Sequence, residues 1–469
     1  MKQEVLVPIA VTVLQGTPQN AQSLLVARTP QIDLNEPEVC TVKAGDSLML
    51  DFGKEVCGTV RILSHICCGG CNIHLRLGES YGEASAVLGE KGACNDHSLR
   101  DIHTELVAYS DMRFCQSAFR FVRIDIEEGS VCFKNIYAEG QIYEAPVRYE
   151  YTGEDTQLRA IYETACRTVN LCVQNNMVWD GAKRDRLVWV GDIYPELLAL
   201  TTLYGRCEPL ENALRFSYQS CPESGFMNEY PQYSAWWLIN MAEYWEQTHN
   251  DAFLEEHREA IRRIADVTAA CVEEDGSLHC PAYFLDWPTH GQPDEYEACR
   301  ALTLYCARRL QALYRAVGWD TAVPDTMIAR LEQKPIVIGS AKQAIAMKWC
   351  ATGALTADET AALLKDGAAG MSTFMSYFIL KAVVGVAGVD TAVAMLKDYY
   401  GGMLSRGATT FFEDFDVTWL AESGRLDEPT PVGKKDLHGD YGAFCYVGFR
   451  HSLCHGWSTG ILRFMKEYC

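Results

Sequence analysis

The hydrophobic period changes once along this chain, and that change constrains the fold more than any other feature. Before about residue 145 the apolar residues alternate. CNIHLRLGE sets Ile73, Leu75 and Leu77 two apart, the spacing of a half-buried strand. LMLDFGKEV, GTVRILSHI and FRFVRIDIEE are also short, rich in β-branched and aromatic residues, and broken by Gly, Asn or Asp. Strands in succession without helices between them predict a β-sandwich. After EAPVRYEYTGED the spacing becomes three and four, running through Leu158, Ile161, Ala165, Val169 and Val173. AWWLINMAEYWEQ, EEHREAIRRIADVTAACVEE, ACRALTLYCARRLQALYRAV and DTAVAMLKDYY repeat it. The remaining chain, roughly 320 residues, accommodates about twelve helices of ~10–14 residues with their connections. A closed ring of helical hairpins is favoured over a bundle, because the residues suited to chemistry fall in the loops.

Charge narrows the partners. The formal net charge of −21 would repel nucleic acid and anionic membrane alike, which leaves neutral or cationic ligands. MKQEVLVPIAVTVLQGTPQN lacks a long apolar stretch and a small-residue cleavage site. With no long apolar run elsewhere, the expectation is no signal peptide, no membrane span and a cytoplasmic protein. The 20 cysteines are scattered without regular spacing, which suits a reducing compartment where cysteine serves as a small hydrophobe. HICCGGCNIH places Cys68 and Cys71 near His65 and His74, but no second C-x-x-C accompanies them. CGGC is read as a turn between strands, and no metal or other cofactor is expected.

Acids and aromatic residues crowd three loops. The first is WDGAKRDRLVWVGD at residues 179–192. The second is AYFLDWPTHGQP, with Asp286, Trp287 and His290. The third is GATTFFEDFDVTW, with Glu413, Asp414 and Asp416, joined later by His455 and Trp457 of SLCHGWSTG. FMNEYPQYSAWW adds Glu229, Trp236 and Trp237. Phosphate-cradling glycines and a G-x-S-x-G elbow are missing. Acids beside flat aromatic rings suit a sugar: indole stacks on its C–H face, while Asp, Arg and His bind its hydroxyls. Splitting a glycosidic bond needs one protonated carboxyl and one ionised carboxylate, which two distant loops can supply. Blander readings exist for each. Arg184, Asp185 and Arg186 could be a surface ion-pair cluster, Trp287 a loop anchor and His455 a structural histidine.

WDGAKRDRLVWVGD resembles the signature of the bacterial α-L-rhamnosidases of glycoside hydrolase family 78. GATTFFEDFD resembles that family's G-A-T-T-x-W-E segment, and LDFGKEVCGTV, LRLGESYGE and FRFVRI resemble strands of the β-sandwich before its barrel. YSAWWLI, FLDWP and SLCHGWSTG also match, so the resemblance covers most of the chain. It implies a multidomain β + α protein, with a β-sandwich over residues 1–147 and an (α/α)6 barrel over 148–469. It also implies inverting hydrolysis of terminal α-L-rhamnosyl residues from small oligosaccharides or plant glycosides. By position, Asp185 would be the general acid, with Asp180 as the alternative, and Glu413 the base. Asp180, Arg184, Asp192 and His455 would hold hydroxyls, and Trp189, Trp237 and Trp287 would line the apolar side of the sugar. The chain departs from the family in carrying Arg184-Asp185-Arg186 for R-x-E-R and Phe412 for a tryptophan, and with GILRFMKEYC at its end the expectation is no C-terminal β-domain. The expected partner is a small carbohydrate, bound by a monomer or homodimer. A different terminal sugar, or carbohydrate binding without catalysis, are the competing expectations.

Overall fold

The computed structural model describes residues 1–444 and 446–469, with side chains throughout except at 68 and 69. Cys68 of the zinc reading therefore lies outside the described side chains. Its histidine companions are engaged elsewhere: His65 Nε2 lies 3.2 Å from the Leu34 carbonyl, and His74 Nε2 lies 2.6 Å from Asp101.

Among the described residues six strands form one antiparallel sheet: β1 (Lys2–Leu6), β2 (Ala10–Gln15), β3 (Cys40–Lys43), β4 (Ser47–Gly78), β5 (Asp101–Leu106) and β6 (Ser110–Ile142). The long elements β4 and β6 are its spine. β4 doubles back along β6, so that Leu50 and Leu77 both pair with Val122. β1 and β3 pair with β6, whereas β2 and β5 pair with β4. The alternation read in CNIHLRLGE holds, since Ile73, Leu75 and Leu77 are fully buried beside Leu50, Val122 and Ile124.

Asp155 opens the helical part. Its carboxylate accepts the amides of Gln157 and Leu158, satisfying donors that the first turn of helix Thr156–Cys172 leaves free. The helical run ends one residue before Val173, which instead starts a small hairpin, Val173–Gln174 against Met177–Val178. Asn175 and Asn176 turn it with φ of 52° and 57°, the left-handed pair that a two-residue hairpin needs and asparagine tolerates. The hairpin delivers the chain into the first acidic loop.

Beyond it, six helices pack in a cycle: Ile193–Tyr204, Pro231–Thr248, Glu295–Val317, Lys342–Thr352, Ser376–Ala387 and Ile461–Tyr468. Each touches the next, and the last closes on the first. Helices Thr156–Cys172, Glu208–Gln219, Arg258–Ala270, Ala322–Leu331, Ala357–Leu364 and Val389–Ser405 each pack against one or two of these. Tyr194 and Phe378 stack across the ring with centroids 5.3 Å apart. The apolar residues form two large separate clusters, one within residues 21–138 and one within 151–465. Among the described residues no helix is long and apolar enough to cross a membrane.

Candidate active site

Three segments distant in sequence meet as backbone neighbours. The Ser452–Gly456 strap lies between the two acidic loops. On one side Gly456 N–H donates to the Asp180 carbonyl at 2.7 Å and Ala182 N–H to the Cys454 carbonyl at 3.1 Å. On the other side Glu413 N–H donates to the Ser452 carbonyl at 3.0 Å and His455 N–H to the Phe411 carbonyl at 2.9 Å. Glu413 is fastened further, since its Oε2 accepts Ser452 N–H and its carbonyl accepts the Trp457 indole N–H, both at 2.9 Å.

These segments border a cavity of about 230 Å³, smaller than the roughly 300–1,000 Å³ of drug-sized sites and suited to a compact ligand. Its polar side is Asp192, Glu413 and His455, and its aromatic side includes Trp189, Tyr233, Phe284, Trp287 and Trp457. Nearly all precede or begin ring helices: Trp189 and Asp192 come before Ile193–Tyr204, Tyr233 lies in the first turn of Pro231–Thr248, and Trp457 comes before Ile461–Tyr468. The cavity therefore opens at the end of the ring where helix N-termini gather, an end whose dipoles favour oxygen and negative charge.

Burial sets the charge state of the walls. It pushes the carboxyls of Asp192 and Asp180 well above the usual carboxylate range. For Asp192 the neighbouring His455 partly offsets that rise, and for Asp180 the charge of Asp185 adds to it. His455 Nε2 lies 3.6 Å from Asp180 and 4.0 Å from Asp192. Beneath them Glu196 is raised likewise by burial and by Asp192, and neither of its oxygens has a hydrogen-bond partner among the described residues. Asp286, in the adjoining wall, is raised to about 7 by burial, against the bonds it accepts from Ser372 and Trp287. Acids held in the protonated form can donate to ligand hydroxyls as well as accept from them.

Asp180, Asp192 and His455 offer ligand atoms within 4.8 Å of one another, as do His74, Asp101 and His103, and Glu79, Glu83 and His438. Between Glu79 and Glu83 sits the ammonium of Lys183.

Asp185 adjoins the cavity through Trp189, one of its lining residues. Its side chain is 17% exposed, against 2% for Asp180, and its oxygens accept Trp189 Nε1–H at 3.1 Å and the Tyr446 hydroxyl at 2.7 Å. Asp185 and Arg186 hold φ of 47° and 59°, consecutive left-handed residues of the costly kind that gathers at functional sites. Asp180 N–H and Oδ1 bond to the backbone of Leu187 at 3.0 and 2.8 Å, closing the loop that presents Asp185.

Two expected site residues lie elsewhere. Arg184 is turned away from the cavity toward the loop ahead of β5, where its guanidinium donates to the Arg450 carbonyl and to that of Asp96 and packs over Tyr446. Its task is to hold the loop, because a fully buried guanidinium needs several acceptors. Trp237 is fully buried, donates to the Leu214 carbonyl at 3.1 Å and stacks on Tyr218. Tyr233, four residues nearer the helix start, takes its place in the cavity together with Tyr230. Phe284 is a further residue that the sequence reading does not single out, and Asp286 and Trp457 are named there among the crowded loops without a role. The readable signal is position, since the cavity's aromatic residues fall in the segments leading into ring helices or in a first turn, whereas Trp237, one turn further along, enters the core.

Fold and site together define a two-part protein with an antiparallel sheet and a helical ring, whose pocket is lined by carboxyls and aromatic rings. Solved structures of α-L-rhamnosidases share this fold. A rhamnosidase from Klebsiella oxytoca with rhamnose bound superposes with a TM-score of 0.77 at 19% identity, over 100% of this chain and 96% of that one. A GH78 family rhamnosidase of Bacillus sp. GL1 gives 0.72 at 19% identity, over 95% of this chain and 48% of its own. The Streptomyces avermitilis α-L-rhamnosidase complexed with L-rhamnose gives 0.66 at 15% identity, over 98% and 43%. The chain thus spans nearly the whole of the first and less than half of the other two. No protein-family profile and no curated protein matches the sequence.

Proposed function

We propose that the protein is an exo-glycosidase that removes terminal α-L-rhamnosyl residues with inversion. The six-helix cycle and its flanking helices are taken as an (α/α)6 barrel over residues 148–469, and the sheet over 1–147 as a β-sandwich. One observation carries the reading. A small cavity holds Glu413 and Asp192 against an aromatic wall whose Trp189 donates to Asp185, on a fold shared with rhamnosidases solved with rhamnose bound.

In this reading the sugar ring enters the cavity and stacks on Trp189, Trp287 and Trp457. Asp192, His455 and, behind them, Asp180 bind its hydroxyls. The glycosidic oxygen of an exo-substrate then lies at the mouth, where the partly open Asp185 gives it a proton. Glu413, held from below by Ser452 N–H, takes a proton from the water that attacks the opposite face. Inversion requires the two carboxyls to stand about 6.5–9.5 Å apart, leaving room for that water.

The test is hydrolysis of a chromogenic α-L-rhamnoside panel by wild type, Asp185→Asn and Glu413→Gln, with proton NMR of the first sugar released. A β-configured first product from rhamnosides alone is expected. An inert wild type that still binds rhamnose would leave a carbohydrate-binding protein, and turnover of another sugar would change the substrate. A second assignment of the acid has an observation behind it: Asp192 lines the cavity and burial favours its protonated form. If Asp192→Asn rather than Asp185→Asn loses most on poor leaving groups, the acid is Asp192.

A further inference from the structure

Lys183 stands two residues before Asp185, yet its side chain leaves the cavity for the sheet. It is buried, with its ammonium 2.9 Å from Glu79 Oε2. It donates to Glu83 Oε1 at 3.0 Å and to the carbonyls of Phe449 and His451 at 3.0 and 2.9 Å. Both glutamates belong to the sheet part: Glu79 follows β4 directly, and Glu83 lies in the short helix Tyr81–Ser85. Glu83 braces Glu79 by accepting its N–H at 2.8 Å.

Glu79 also reaches the strap. Its Oε1 accepts the Ser452 hydroxyl at 3.0 Å and its Oε2 accepts Leu453 N–H at 2.7 Å. Ser452 is the residue whose own N–H donates to Glu413 Oε2 at 2.9 Å. Ser80 continues the contact through His438, whose other ring nitrogen lies 2.8 Å from the His451 carbonyl. One buried carboxylate of the sheet thus touches the segment that fastens Glu413 and the side chain that anchors the Asp185 loop. The ammonium of Lys183 already fills the space between Glu79 and Glu83, so the cluster reads as an ion-paired clamp.

We propose that the sheet part is a working component of the active site: Glu79 is a positioning residue that, through Ser452 and Lys183, sets the separation of Asp185 and Glu413. The proposal rests on the glycosidase reading. Two acids from separate loops must meet one water and one glycosidic oxygen, and a misplacement of about 1 Å can cost roughly 100-fold. The strap is joined to both loops by backbone hydrogen bonds, and Glu79 is its tie to the sheet at the point nearest Glu413.

Full-length wild type, Glu79→Gln and Lys183→Met are compared on 4-nitrophenyl α-L-rhamnoside and on an alkyl α-L-rhamnoside, well below their melting temperatures. Glu79→Gln is expected to lower kcat about 100-fold while leaving KM nearly unchanged. Lys183→Met should lose more on the alkyl glycoside, which depends on the proton from Asp185. Wild-type kcat in Glu79→Gln, or a loss confined to KM, overturns the proposal. Hydrogen–deuterium exchange of the same proteins, without substrate, supplies a reading independent of turnover. Amides of residues 449–457 should exchange about tenfold faster in Glu79→Gln, with helix Ile193–Tyr204 unchanged. Unaltered exchange there overturns the clamp whatever the activity. If wild type splits no glycoside, the glycosidase reading fails and the exchange result alone decides the clamp. Should Glu79→Gln not fold, Ser452→Ala, which deletes a single hydroxyl, undergoes both measurements with the same expected and overturning results.

Discussion

Gly456 gives the sharpest test of how the strap is seated. It lies between His455 and Trp457, and a Cβ built on it would sit 1.7 Å from Glu196 Oε1 and 2.6 Å from Glu196 Cδ. Side-chain carbons do not approach heavy atoms so closely, so Gly456→Ala must move either Glu196 or the strap by more than an ångström. Glu196 is fully buried and its oxygens make no hydrogen bond that would guide it to a new position. Overpacking of this kind costs about 1–3 kcal/mol, which corresponds to a melting temperature lower by about 1–3 °C in a chain of this length. If the strap yields, His455 moves with it, and kcat/KM should fall by roughly 100-fold, the cost of an ångström at a reacting centre. Glu196→Ala removes the clashing atoms, so the double variant should recover part of both losses, a coupling of about 1–2 kcal/mol. Calorimetry and rhamnoside turnover on the four proteins read this directly. An alanine at 456 with wild-type melting and turnover, or losses that add without coupling, would refute the close packing of strap on Glu196.

Other perturbations separate packing from chemistry. Trp237→Ala should cost about 3–5 kcal/mol of stability by emptying a core position, whereas Trp287→Ala should mainly raise KM; denaturation and steady-state kinetics tell them apart. Glu413→Gln should lose nearly all turnover on every leaving group, while Asp185→Asn should be mildest on 4-nitrophenolate, which leaves with little protonation. Asp286 is raised from its ordinary value to about 7. Between about pH 4 and 7 the unfolded chain is therefore ionised there while the native protein keeps the proton, and stability falls as pH rises through that window. Asp286→Asn should flatten the fall, matching wild type near pH 4 and exceeding it at pH 8, read as melting temperature against pH.

Much of the site was legible because its residues are chemically conspicuous and come from loops. Asp192, Glu413, His455, Trp189 and Trp287 line one cavity, and Asp180 and Asp185 adjoin it through His455 and Trp189. Arg184 and Trp237 look the same in sequence and point elsewhere. A long side chain beside a turn can reach either way, and residues one helical turn apart differ in depth rather than in pattern. Tyr233 and Trp237 share a helix and an aromatic ring, and only the packing of Glu208–Gln219 against that helix put Trp237 in the core.

The sequence by itself determined which stretches are strand and which are helix, since periods of two and of three to four follow from backbone geometry alone. It also marked the loops in which acids and aromatic rings crowd together. Tertiary structure alone decided that Ser452–Gly456 lies between the loops of Asp180 and Glu413, and that Glu79 of the sheet holds it there. Contacts between residues hundreds of positions apart leave no periodic trace in the chain. They arise where closing the helical ring and docking it on the sheet bring buried polar groups together, each needing a partner that only the folded protein can supply.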